Sequence, residues 1–122
     1  MSRVKFVDHH GRHIILLDFA GITDVEEGLA AVAEATRFIG AQPADGTSMT
    51  LTDVRDTRYD RRIVDAFKQM TKANRPIVKA AAVVSNSPIH HAAINLIAFF
   101  SRRKIQIFES RESAIDWLVA QS

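Results

Sequence analysis

Apolar residues recur along this chain with two periods, and the switches between them mark out the elements. Val4 to Asp8 and His13 to Phe19 are β-rich runs, separated by His9-His10-Gly11-Arg12. Gly11 supplies the positive φ of a short loop, so the pair predicts a hairpin. Ile14-Ile15-Leu16-Leu17 is continuously apolar, as expected of a central strand covered on both faces. Val25, Leu29, Val32 and Ile39 then follow at helical spacing. Thr23 is placed to cap that helix, with Glu26 at the reciprocal position of a capping box, and Gly40 and Pro43 end it.

Ser48 to Val54 reads as the next strand. A strongly amphipathic helix follows from about Asp60 to Asn74, with Ile63, Val64, Phe67 and Met70 inward and Arg61, Lys68, Lys72 and Arg75 on another side. Arg75-Pro76 ends it, because the residue before proline leaves the α region. Val78 to Val84 is a strand of β-branched and small residues. Ser87 and Pro88 suit the cap and first turn of a third helix, expected to bury Ile89, Ala93, Leu96, Ile97 and Phe100 while Ile94 and Phe99 project off that face. Arg102-Arg103-Lys104 closes it, complementing the helix dipole. Ile105 to Phe108 is the last strand; Ser110 caps a last helix docked by Ala114, Ile115 and Leu118, with Trp117 at the margin.

The order β-β-α-β-α-β-α-β-α predicts an α/β domain over residues 1–122: a five-stranded mixed, mostly parallel sheet with an N-terminal hairpin and four helices. A length of 122 residues supports one core. The absence of cysteine excludes disulfides, thiolate zinc sites and thiol nucleophiles. With no apolar run of membrane-spanning length, the chain is expected to be soluble and cytoplasmic, without a membrane partner.

The net charge of +2 hides an uneven distribution. Residues 1–54 carry four Lys/Arg against eight Asp/Glu, a net of −4, and residues 55–79 carry eight against three, a net of +5. Such halves can pair internally or steer a charged partner. The basic stripe lacks interleaved aromatics or a nucleic-acid motif, so nucleic acid is not the expected partner.

Ile14 to Gly21, Leu51-Thr52-Asp53-Val54, Val78 to Val84, and Ile105 to Ser110 leading into Ala114-Ile115-Asp116-Trp117-Leu118 together resemble the STAS family. Its members include the anti-sigma-factor antagonist domains, and its fold is shared with the CRAL-TRIO lipid-binding domains. The resemblance implies a non-enzymatic regulatory module that binds a protein partner, a kinase-like or sigma-regulating protein. In the antagonists an Asp-Ser-Ser/Thr-Gly motif carries a phosphorylated hydroxyl at the start of the second helix. Asp56-Thr57 stands in that place, making Thr57 the candidate phosphoacceptor, although Arg58 and Tyr59 replace the small residue and the glycine.

A mostly parallel sheet gathers the loops after its strands on the carboxyl edge, where such folds bind ligands. The candidate partner-binding residues there are Asp53, Arg55, Asp56, Arg58, Arg61, Ser85 and Ser87, joined by Thr23, Asn86 and Ser110. Thr23, Ser87 and Ser110 also fit plain helix capping. Asp53 and Asp56 with adjacent arginines read as a self-neutralised loop, so no catalytic residue is assigned. His9, His10 and His13 lack a fourth ligand of recognisable spacing, and His90 and His91 point about 100° apart on a helix. No metal or cofactor is therefore expected. The rival reading is a carrier of a small apolar or lipid-like ligand, which predicts an internal cavity beside the third helix; Phe38, Ile94 and Phe99 would also suit self-association into a homodimer.

Overall fold

The computed structural model describes residues 3–58, 60–101 and 105–121. Its elements are β1 (Val4–His9), β2 (Arg12–Asp18), α1 (Val25–Gly40), β3 (Ser48–Asp53), α2 (Arg61–Ala73), β4 (Val78–Val84), α3 (Pro88–Ser101), β5 (Ile105–Phe108) and α4 (Arg111–Ala120). The strands lie side by side in chain order, β1-β2-β3-β4-β5. β1 and β2 are antiparallel, and the remaining pairs are parallel. His10 and Gly11 both take positive φ in the hairpin turn, as a two-residue loop between twisted strands requires.

Sequential parallel strands joined by right-handed crossovers place their helices on one face. α1, α2 and α3 accordingly cover one side, over Ile15, Leu17, Ala81 and Val83. The other side carries Ile14, Leu16, Met49, Leu51, Ala80, Ala82 and Val84, covered by Ala114 and Leu118 of α4. This alternation is the strand period of two. The run Ile14 to Leu17 is buried throughout because both faces are covered. Small alanines in β4 let α4 lie close over the strand, and Leu118 is fully buried there. Gly28 brings α1 onto α2: a Cβ at that position would stand 2.8 Å from Ile63 Cδ1.

Three local expectations change. Asp24, not Thr23, caps α1, accepting from Glu27 N at 3.0 Å. Thr23 and Asp24 offer the same capping spacing one residue apart, to Glu26 and Glu27, and the backbone enters the helix at the second. Gly40 is the last residue of α1 rather than its stop; the αR residue Ala41 forms the C-cap. On α3 Ile94 is buried and Leu96 half exposed, the reverse of the expectation, whereas Ile97 is buried and Phe99 exposed (84%) as expected. Large apolar residues stand on several sides of α3, so its periodicity does not single out the buried face uniquely. The expected burial of Ile89 and Phe100, and the closing role of Arg102-Arg103-Lys104, lie outside the described residues and side chains.

Candidate functional site

The loops after β2, β3, β4 and β5 meet along one rim because the backbone laces them together. Phe19 N donates to Asp53 O at 3.0 Å, Val54 N to Val84 O at 2.9 Å, and Ser85 N to Phe108 O at 2.9 Å. Gly21, at φ 78°, donates to Arg55 O, and Arg58 N donates to Ile22 O. The loop after β3 is thus held from both sides.

At the centre of the rim Asp53 is fully buried. Its Oδ1 accepts from Arg55 N and Nε, both at 3.1 Å, and its Oδ2 from Arg55 Nη2 and Arg111 Nε, both at 2.7 Å. Arg111 Nη2 lies 3.0 Å from Asp18 Oδ1. Four hydrogen bonds fill the acceptor sites of a carboxylate. Burial pushes the Asp53 carboxyl up, but the hydrogen bonds from Arg55 and Arg111 outweigh it and hold the group below the usual carboxylate range. A carboxylate so committed has no lone pair free to attack a substrate, so the acid pair Asp53 and Asp56 does not form a nucleophilic centre. Asp56 points away, exposed, at φ 56°, and accepts from Asn86 Nδ2 at 3.1 Å.

Thr57 is buried, and its Oγ1 donates to Phe19 O at 2.7 Å. Ser85 is fully buried, and its Oγ accepts from Ser87 N at 3.3 Å. Burial therefore assigns Asp53, Thr57 and Ser85 to the construction of the rim, not to its outer surface. Arg55 and Ser87 are half-buried. Asp56, Arg58 and Arg61 are exposed on the surface itself. Ser110 caps α4 as expected, accepting from Ser113 N, and Asp60 caps α2, accepting from Ile63 N. Tyr59, the last residue of the motif-like segment, lies outside the described residues.

Arg111 is the functional residue that sequence reasoning missed. A cation at the first position of a helix opposes the dipole, and here Asp53 and Asp18 offset that cost. The acidic and basic halves do pair across α1 and α2, where Arg62 Nη1 lies 3.0 Å from Glu26 Oε1. The hairpin histidines make no cluster: His13 pairs with Asp8, and His9 stacks edge-on against His10. Among the described residues no group of three or more His, Asp or Glu could hold a metal ion, and no helix is long and apolar enough to cross a membrane.

A second feature lies inside the fold. Between the three-helix face of the sheet and α2 and α3 is a cavity of about 50 Å³, lined by Thr50 and Thr52 of β3, Phe67, Met70 and Thr71 of α2, Asn74 at its C-cap, and Ile94 and Ile97 of α3, among others.

No family model matches the sequence, and no curated protein matches it significantly. Among solved structures it is similar to a protein of the DUF3478 family with a SpoIIAA-like fold from Shewanella loihica PV-4. The TM-score is 0.72 at 12% identity, over 94% of this chain and 91% of that one. The chain has the SpoIIAA-like, hence STAS-like, fold of the anti-sigma-factor antagonists. At that identity the likeness carries the fold alone.

Proposed function

We propose that this chain is a non-enzymatic regulatory module of the cytoplasm that docks an acidic surface of a partner protein on its carboxyl rim and the start of α2. The division of the rim's charges carries this reading. Asp18, Asp53, Arg55 and Arg111 are paired with one another, and Arg62 is paired with Glu26 and Asp60. Arg58 and Arg61 stand exposed beside them with no ion pair among the described residues. Unpaired cations next to a fixed rim steer association with an acidic partner. Phosphorylation of Thr57 requires the loop after β3 to open, since its hydroxyl is buried against Phe19 O; the switch in this reading is the loop as a whole.

The test is affinity capture from native cytoplasm with the double charge reversal R58E/R61E, read by intact-mass analysis. Recovery of a partner that falls with charge reversal and with rising salt supports the reading. Unchanged recovery removes both arginines from the interface. A second reading, a small-ligand binder, is favoured by the cavity between the sheet and α2 and α3.

A further inference from the structure

α3 carries no Asp, Glu, Lys or Arg along its length, whereas α1, α2 and α4 each turn charge to solvent, through Glu26, Arg61 and Glu112 among others. Its inner side is set by Ile94 and Ile97, both buried against the sheet and α2. Its exposed residues, among those described, are Pro88, Ala92, Asn95, Leu96 and Phe99. Pro88, Ala92, Asn95 and Phe99 follow one another at steps of four, three and four, the spacing of a seam that packs on another helix. Leu96, 50% exposed, widens that seam, and Phe99 is 84% exposed at its end. A surface helix ordinarily turns its polar side to water; α3 turns a second helix-packing seam there.

That seam fits its own copy. Being uncharged, it meets itself without burying like charges. In an antiparallel pair with the two-fold axis between Asn95 and Leu96, Phe99 of each copy falls on Ala92 of the other, a large side chain on a small one, and Leu96 falls on Asn95. The same register directs Arg102-Arg103-Lys104, which follow α3 in the sequence, towards the start of the opposite α3, where Asp56 is exposed and bonded to Asn86. A parallel pair would set the two basic runs side by side. Three consecutive cations also fall short of the roughly four to eight of a lipid-binding basic cluster.

We propose that the outer face of α3 is a homodimer interface, an antiparallel α3–α3 pair between two copies of this chain. One helix pair covers less than a standard interface, so the dimer is a weak one.

Sedimentation equilibrium of the full chain, from micromolar to millimolar concentration, tests it. Wild type is expected to show a reversible monomer–dimer equilibrium with no higher species, because a two-fold contact closes on itself. Phe99→Glu and Ala92→Glu, each on the exposed face, are expected to weaken dimerisation at least about tenfold while the far-UV spectrum is unchanged. A92K/F99E is expected to regain the dimer, because this register sets the two introduced charges of opposite sign against each other across the pair. A wild type that stays monomeric at millimolar concentration, or a dimer that both single variants leave intact, overturns the interface. Loss in both without recovery in A92K/F99E overturns the antiparallel register. A monomer that instead co-sediments with phosphatidylserine-containing vesicles, and ceases to as F99E, overturns the second copy and assigns the face to a lipid surface.

Discussion

Replacing Arg111 with methionine removes a side chain that joins the rim of the sheet to α4, while keeping most of its length and apolar stem. Two contacts are lost. The bond from Nε to the fully buried Asp53 is a hydrogen bond to a charged group, contributing about 1.5–3 kcal/mol. The contact with Asp18 joins side chains 35% and 40% exposed and contributes about 0–1 kcal/mol. Arg111 is itself a third exposed and regains water on unfolding, so the sum is expected near the lower end, about 2 kcal/mol. For a chain of this size that corresponds to about 6–8 °C in Tm. Arg111→Lys recovers only part of it, because an ammonium cannot bridge Asp53 and Asp18 with a planar fork.

The pH dependence is a second readout. Asp53 is depressed in the folded protein, so its contribution is fully present above its unfolded value of about 3.9 and is lost as pH falls through the folded value. Without Arg111, burial is less opposed and the folded value rises. The stability gap between wild type and Arg111→Met is therefore widest near neutral pH and closes as pH drops below about 4. Urea midpoints between pH 7 and pH 3 measure both effects. A loss below about 0.5 kcal/mol, within the range of ordinary surface substitutions, or a gap that does not narrow in acid, refutes the assignment of Arg111 as the clamp on Asp53.

Thr57→Val removes the donation to Phe19 O but leaves that carbonyl the bond from Ile22 N; a loss of about 1 kcal/mol by urea denaturation is expected, and an unchanged midpoint would mean that the hydroxyl does not anchor the loop. His90 is pushed below its usual value by burial and by His91. A histidine so shifted contributes stability that is present above about pH 6.5 and is lost as pH falls below it. The urea midpoint of wild type should thus decline from pH 8 to pH 5 more steeply than that of His90→Gln, and equal slopes would refute the role of His90.

The fold was legible where one face of an element differs from the other. β4 and β5 match the sequence boundaries, and α2, with Ile63, Phe67 and Met70 inward, matches to within a residue at either end. α3 was not legible in phase, because Ile94, Leu96, Ile97 and Phe99 surround the helix and only its seat on the sheet selects among them. The rim was legible as a place, since topology alone brings the loops after parallel strands to one edge. The burial of its residues was not. Thr57 and Ser85 sit in polar segments that look solvated, and they are buried because neighbouring loops close over them through backbone bonds distant in sequence.

The period of β3 carries the argument furthest. Met49 and Leu51 belong to the core beneath α4, and Asp53 continues that side at the strand's end, as residues two apart must. Beside Arg55 of its own loop, its second counter-ion comes from the element covering that side, α4, which offers Arg111 in its first turn. Thr50 and Thr52 point the other way, into the cavity under α2 and α3. One residue of register slip would exchange the two sides, placing the carboxylate among apolar helices and the threonines beneath Leu118. The Asp53–Arg111 clamp thus fixes the alignment of β3 as well as the seat of α4. Loosening it should disturb the cavity and the rim together: in Arg111→Met, amide exchange should accelerate along β3 and not only in the first turn of α4. Acceleration confined to α4 would show that β3 is held in register by its neighbours alone.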